Sequence, residues 1–73
     1  MEMKKPFDLL NMLIGKNVIV SIKGGKIFEG RMMAFDVHMN IILSNAKCED
    51  KEIGNIFIRG DSVVYVHELK KEV

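Results

Sequence analysis

The sequence predicts a mainly β fold, in which a short N-terminal α-helix precedes a strongly bent five-stranded antiparallel sheet that forms a small open barrel. Three observations lead to this prediction. The spacing of apolar residues changes near Asn17 from a helical period to a period of two. β-Branched residues become frequent from the same point, and glycine or polar turn residues interrupt the chain at short intervals. Such short connections favour a meander of five consecutive antiparallel strands.

The size of the chain indicates one domain with a small core. It has 73 residues, of which 48% are hydrophobic, and a formal net charge of +1. A domain of this size buries only about 62% of its surface on folding, and such domains often need disulfides, a metal or partner subunits. Cys48 is the single cysteine, and no Cys and His spacing indicates a metal site, so no metal or cofactor is expected. We therefore expect residues 1–73 to form a domain that oligomerises.

Apolar runs in the sequence are only a few residues long, far shorter than a membrane span, and charged residues begin at position 2. We therefore expect a cytoplasmic protein without a membrane partner. The near-neutral charge also argues against binding of nucleic acid by bulk charge. The lysines near the two ends are expected to be solvated; they are Lys4, Lys5, Lys70 and Lys71.

The helix is predicted over residues 6–14. One apolar stripe supports it, formed by Leu9, Leu10, Leu13 and Ile14. Pro6 suits the first helical turn, where its missing N–H costs nothing. Gly15 suits the left-handed position that ends a helix. Because so short a helix is not stable alone, it must lie on an apolar surface.

The period of two predicts five strands, at Val18–Lys23, Lys26–Asp36, Asn40–Ala46, Glu52–Arg59 and Ser62–His67. Gly24 and Gly25 supply the positive φ of a tight turn after the first strand. Gly30 lies near the middle of the long second strand, where a glycine predicts a bend or bulge. The polar segment from Lys47 to Lys51 is predicted to be a loop that contains Cys48.

The last two predicted strands are apolar on both faces and lack proline and internal lysine. Their apolar residues are Ile56, Phe57, Ile58, Val63, Val64, Tyr65 and Val66. Exposed edge strands normally carry such protections, so we infer that these strands pair with other copies of the chain. Pairing of the fourth strand of one copy with the fifth strand of the next is heterologous and produces a ring or a fibre, of which the ring is soluble.

Two polar clusters interrupt the apolar pattern at predicted hairpin turns. They are Asp36, His38 and Asn40, and Arg59, Gly60 and Asp61. If the first cluster is extended, His38 and Asn40 share a face and Met39 points the other way. Imidazole and guanidinium planes stack on nucleobases, and an amide can hydrogen-bond the edge of an exposed base. The alternative is that these are ordinary turn residues, with Arg59 paired to an aspartate.

The sequence resembles the Sm/Lsm family, and within it the archaeal Sm-like proteins. Residues 18–46 resemble the first Sm motif, through Gly25, Phe28, Gly30, Met32, Phe35, Asp36, Met39 and Asn40. Residues 56–67 resemble the second, through Ile58, Arg59, Gly60, Asp61, Ser62 and Val63. Residues 5–10 resemble the start of the helix in archaeal members. One departure is the segment Ser44 to Ala46, which lacks an acidic residue that many relatives have there.

The resemblance implies a ring, usually of seven subunits, that binds single-stranded uridine-rich RNA around its central pore. Such a protein acts in RNA processing or as an RNA–protein scaffold. By the same resemblance, His38 and Arg59 would sandwich a uracil while Asn40 hydrogen-bonds its edge. The remaining residues would support these contacts. Asp61 would hold Arg59 or Asn40, Gly60 would let the backbone approach the base, and Asp36 would brace the loop that carries His38. Met39 is a further supporting residue.

Two other functions stay open at this point. One is a ring-forming protein-interaction module that binds no RNA. The other is an enzyme in which Cys48 is the nucleophile, His38 or His67 the base and Asp36 the orienting residue. Because no activating context surrounds Cys48 in the sequence, we expect no enzyme and no catalytic residue.

Overall fold

The computed structural model describes residues 5–70, so Lys4, Lys71 and the ends of the predicted domain lie outside the described residues. It contains one helix, five strands and a short 3₁₀ helix. These are α1 Pro6–Leu13, β1 Asn17–Ile22, β2 Ile27–Phe35, β3 Ile41–Cys48, β4 Lys51–Ile58, the 3₁₀ helix Gly60–Ser62 and β5 Val63–Glu68. The predicted fold class is confirmed. Neither helix in residues 5–70 is long and apolar enough to cross a membrane.

The strands form one antiparallel sheet in the order β4-β3-β2-β1-β5. The first four strands are a meander, but β5 pairs with β1 instead of β4, so the predicted five-strand meander and the predicted β4–β5 hairpin are wrong. The 3₁₀ helix carries the chain from one edge to the other, where Lys23 N donates to Ser62 O at 2.8 Å. As a result, β4 and β5 are the two edges of the sheet.

The sheet bends where β2 passes close to β3. The register between these strands shifts between Glu29 and Arg31, as the central glycine predicted. A Cβ on Gly30 would lie 3.1 Å from both Ala46 Cα and Ser44 O. Glycine suits this approach, because a Cβ here would be in tight contact with β3 and would require a small shift of that strand.

Helix α1 ends one residue before its predicted limit, because Ile14 has an extended ψ of 129°. Gly15 follows with φ of 83°, as predicted for the terminating residue. Its N–H donates to Met32 O at 2.8 Å, which fixes the end of the helix to β2. Within the predicted stripe Leu10 and Leu13 are buried, whereas Leu9 and Ile14 stay about 40% exposed.

The core is formed by residues of α1 and of strands β1 to β4. Its buried residues are Leu10, Leu13, Val18, Val20, Met32, Ile41, Leu43, Ala46 and Ile58. The edge strands, by contrast, leave large apolar side chains exposed, namely Ile53 and Phe57 on β4 and Val64 and Tyr65 on β5. This distribution agrees with the predicted pairing of the edges, because isolated soluble sheets seldom present such strands to water.

The connection between β3 and β4 is much shorter than predicted. β3 continues to Cys48, which pairs with Lys51 at the start of β4. Only Glu49 and Asp50 form the turn, with φ of 53° and 66°. Positive φ at both central residues belongs to the tightest hairpins, which usually contain Asn-Gly or Asp-Gly. The sequence therefore carries no usual signal for this turn, and the prediction that Cys48 lies in a loop is wrong.

Candidate functional site

The two polar clusters meet at one end of the sheet and line a single open cavity of about 520 Å³. Its walls are His38, Met39, Asn40, Phe57, Arg59, Gly60 and Asp61. The first three come from the β2–β3 turn, and the others come from the end of β4 and the 3₁₀ helix. Of the predicted site residues, only Asp36 is not part of the wall. Its carboxylate instead accepts hydrogen bonds within the turn.

Asp36 organises the β2–β3 turn with its carboxylate. Oδ1 accepts hydrogen bonds from the backbone N–H groups of His38 at 2.9 Å and Asn40 at 3.0 Å. Oδ2 accepts a third, from Nδ2 of Asn40, at 3.0 Å. The Asn40 side chain first, and then these backbone donors, favour the ionised carboxylate and lower the pKa of Asp36. The predicted bracing contact is therefore present in the structure.

The turn from Asp36 to Asn40 is compact, so the extended geometry predicted for it is wrong. Met39 has a left-handed φ of 66°, and its N–H donates to Asp36 O at 3.0 Å. The turn is compact because the Asp36 carboxylate accepts hydrogen bonds from backbone N–H groups that would otherwise be free to pair between strands. His38 and Asn40 nevertheless reach the same cavity, and Met39 packs partly against the core.

Asn40 joins this turn to the second cluster. Its Oδ1 accepts a hydrogen bond from Gly60 N–H at 2.8 Å. A Cβ on Gly60 would overlap the His38 carbonyl oxygen and lie 2.8 Å from the carbonyl carbon of Met39. The close contact of the two turns thus requires glycine here, whether or not a base also approaches.

Arg59 and Asp61 form an ion pair at the mouth of the cavity, with Nη2 of Arg59 3.2 Å from Oδ2 of Asp61. The two side chains are 76% and 68% exposed, so water screens the pair and its contribution to stability is small. Of the two partners predicted for Asp61, the structure selects Arg59, since Asn40 is already held by Asp36 and Gly60. The pair orients the guanidinium without burying it.

Phe57 is the cavity residue that the sequence interpretation missed as a site residue. It was placed among the apolar residues of an edge strand, but it lines the cavity and is 61% exposed. The alternation of residues along the strand could have identified Phe57 as a site residue. Phe57 and Arg59 are alternate residues of an extended segment, so their side chains project to the same side.

The hydrogen bonds of Asn40 leave part of its amide free. An amide has two N–H donors and two lone pairs. Asp36 takes one N–H and Gly60 takes one lone pair, and the Gly60 N–H also fixes which amide atom is oxygen. One donor and one acceptor therefore stay available to a ligand, beside the exposed His38 ring and the Arg59 guanidinium.

The residues considered for catalysis are not brought together. His38 and Asp36 precede the first residue of β3, whereas Cys48 is its last. Asp36 and His38 therefore lie at the opposite end of this strand from Cys48. His67 lies on β5, where its ring stacks on Tyr65 with centroids 5.7 Å apart. In residues 5–70, no group of three or more His, Cys, Asp or Glu side chains is placed to hold a metal ion.

Comparison with known proteins agrees with this arrangement. Residues 8–68 match the LSM domain. The chain is 45% identical to a protein of Methanococcoides burtonii named as snRNP Sm-like, over 85% of this chain and 93% of that protein. Among solved structures, an SmAP (LSm) protein of Methanococcus vannielii has a TM-score of 0.84 at 44% identity, over 92% of this chain and 99% of that one.

Two further structures are informative because of their assembly or ligand. A heptameric archaeal Sm protein has a TM-score of 0.79 at 26% identity, over 84% of this chain and 96% of that chain. An Sm protein of Pyrococcus abyssii, solved with a uridine heptamer, has a TM-score of 0.83 at 31% identity, over 90% and 100% of the two chains. The chain described here, with its bent sheet and its two joined turns, belongs to the LSM domain family of Sm-like proteins.

Proposed function

We propose that this chain forms a ring that binds single-stranded uridine-rich RNA at its central pore, as a factor in RNA processing or as an RNA–protein scaffold. The observation that carries the proposal is the cavity shared by His38, Asn40 and Arg59, which combines two flat groups with a fixed amide. The Pyrococcus abyssii relative that was solved with a uridine heptamer supports the choice of ligand.

The free groups of Asn40 match the edge of uracil. Uracil presents a carbonyl acceptor beside its N3–H donor, which pair with the free N–H and the free lone pair of the amide. Cytosine presents a donor and an acceptor in the opposite order. Because Asp36 and Gly60 prevent the amide from flipping, a mismatched base leaves polar groups unpaired, at about 1–3 kcal/mol for each buried group. The pocket therefore prefers uracil to cytosine.

Stacking supplies most of the remaining affinity. His38 and Arg59 would hold the base between their planes, and stacking on one such surface contributes about 1–3 kcal/mol per base. A single pocket is weak, so useful affinity needs several pockets on one RNA strand, acting through effective concentration. A ring also brings an Arg59 from every copy to one pore, which creates local positive charge from a nearly neutral chain.

The ring itself is proposed from the two edges of the sheet. β4 and β5 lie at opposite edges and expose apolar side chains, so β4 of one copy pairs with β5 of the next. Repetition of this heterologous contact closes into a ring. We propose seven subunits, because a heptameric archaeal Sm protein shares the fold.

The test compares oligouridine and oligocytidine of equal length by fluorescence anisotropy, with the assembly followed by native mass spectrometry. We expect a closed oligomer that binds oligouridine in the micromolar range or more tightly, and oligocytidine much more weakly. Asn40→Ala should lower oligouridine affinity at least about tenfold, since it removes the edge contact. Asn11→Ala on the exposed side of α1 is the matched control and should change nothing.

Equal affinity for the two homopolymers would refute the uracil assignment. A monomer under native conditions would refute the ring. An intact ring that binds neither RNA would support the alternative of a ring-forming protein-interaction module.

A further inference from the structure

A second cavity, of about 290 Å³, adjoins the candidate site between α1 and β5. Apolar and aromatic side chains line it, with Leu9 and Leu10 from α1 and Val64 and Tyr65 from β5. Leu9 and Val64 are 40% and 59% exposed. The subunit thus has an apolar hollow that is open to water beside its own edge strand, which is typical of a surface that another protein covers.

This apolar cavity and the cavity of the candidate site have a common wall. Met39 and Gly60 line both of them. Met39 is also the residue between His38 and Asn40, whose side chains reach the candidate site. A group that fills the apolar cavity therefore packs against the turn that carries the proposed uracil contacts.

We propose that the apolar cavity receives the side chain of Phe57 from the next copy in the ring, and that this insertion holds Met39 and the β2–β3 turn in place. The inference rests on the ring of the proposed function and deepens it, because the site of each subunit then depends on a residue of its neighbour. Phe57 acts here through assembly and not by contact with the base.

The connection between β4 and β5 brings Phe57 to the correct end of the contact. Ile58 ends β4 and Val63 begins β5, and the short 3₁₀ helix joins them, so both lie at one end of the subunit. All copies in a ring have the same orientation to its axis. The end of β4 therefore meets the start of the next β5, where Gly60 and Val63 line the apolar cavity.

Exposure and chemistry favour Phe57 as the occupant. It is the most exposed large apolar side chain of β4, at 61%, whereas Ile53 is 44% exposed and lies nearer the opposite end of the strand. Insertion would remove the phenylalanine ring and the exposed parts of Leu9 from water, which drives association. The thioether of Met39 in the cavity wall also makes favourable contacts with an aromatic ring.

The first experiment exchanges side-chain volume across the contact. Phe57→Ala empties the cavity and Leu9→Phe fills it from its own subunit, so each should raise the protein concentration needed for half assembly at least about tenfold. The double variant should recover most of the loss. Native mass spectrometry over a range of protein concentrations measures assembly. Ile27→Ala and Ile14→Phe, at positions 47% and 41% exposed outside this cavity, are the matched controls and should not change it.

The second experiment measures binding of uridine monophosphate, which is too short to reach two pockets and reports one site without avidity. Phe57→Ala, at a concentration where rings are present, should bind it about three- to tenfold more weakly than the wild type by NMR titration. The double variant with Leu9→Phe should recover the wild-type affinity, because the filled cavity again supports Met39. Direct stacking of Phe57 on the base could not be recovered in this way.

Three results would overturn the inference and leave the proposed function standing. They are wild-type assembly by Phe57→Ala, failure of the double variant to recover the ring, and failure of its rings to recover affinity for uridine monophosphate. A monomeric wild-type chain would refute the proposed ring and this contact together. An intact wild-type ring that binds no oligouridine would refute the uracil site, and with it the link through Met39.

Discussion

The two turns at opposite ends of β3 both contain non-glycine residues with positive φ, but different interactions stabilise them. The β2–β3 turn places Met39 at a φ of 66°, and the β3–β4 turn places Glu49 and Asp50 at 53° and 66°. In the first, Asp36 accepts three hydrogen bonds and Asn40 accepts one from Gly60. In the second, the side chains of Glu49 and Asp50 make no hydrogen bond or ion pair within residues 5–70.

The difference shows how a turn that carries a site is built. The β3–β4 turn only reverses the chain, so the strand pairs on either side suffice to hold it. The β2–β3 turn must hold an amide in one orientation, so it is fixed to a segment 20 residues away. Such prior ordering reduces the entropy that a ligand must remove on binding. Four changes test this contrast, from the largest expected effect to the smallest.

Gly60→Ala should be the most damaging single change, because its Cβ would overlap the His38 carbonyl and separate the two turns. We expect a loss of about 3 kcal/mol in the free energy of unfolding, typical of overpacking against backbone, together with loss of oligouridine binding. The control is Gly54→Ala, which has open space but a φ of 92° and should cost about 1 kcal/mol. Urea denaturation at fixed protein concentration measures the free energy of unfolding of the two variants. Equal losses of stability in Gly60→Ala and Gly54→Ala would contradict the close contact of the turns.

Asp36→Asn should weaken oligouridine binding by roughly three- to tenfold. An asparagine cannot accept hydrogen bonds with both of its terminal atoms, so either Asn40 Nδ2 or the backbone donors lose their partner. The matched change in the other turn, Asp50→Asn, should leave binding unchanged. Anisotropy titrations of the two variants measure the contrast, and similar losses in both would mean that the turns do not differ as described.

Asp50→Gly should raise the free energy of unfolding by about 0.5 kcal/mol, because glycine adopts a φ of 66° without strain. Met39→Gly relieves the same strain in the other turn, but it also removes a side chain that packs against the core. We therefore expect Met39→Gly to destabilise the protein. Stabilisation by both substitutions in thermal denaturation would show that Met39 contributes only through its backbone.

The smallest effect is the pH dependence of the contribution of Asp36. Its pKa in the folded chain lies below the ordinary value of 3.8, so the unfolded chain binds the proton more readily. The stabilisation is complete at pH values above 3.8 and disappears as the pH falls through the lower, folded-state pKa. The difference in stability between wild type and Asp36→Asn should therefore be constant near neutral pH and vanish in acid. A difference that persists in acid would exclude ionisation as its cause.

Most of the fold could be predicted from local patterns. The period of apolar residues located the ends of the helix and of all five strands to within two residues, and Gly30 indicated the bend. The pairing of β5 with β1 could not be predicted this way, because it depends on how far the sheet curls. The turn between β3 and β4 was predicted in the right place but too long, because Glu49 and Asp50 are not residue types that usually favour positive φ.

The sequence by itself determined which side chains are candidates for binding a base, since polar residues stood out wherever the apolar alternation stopped. It also determined that the edge strands are too apolar for a solitary sheet. Only the tertiary structure decided that Asn40 bonds Gly60 and that Phe57 shares the cavity with Arg59. The physical reason is range: periodicity and turn chemistry act over a few residues, whereas the cavity joins segments 20 residues apart that meet only when the sheet bends.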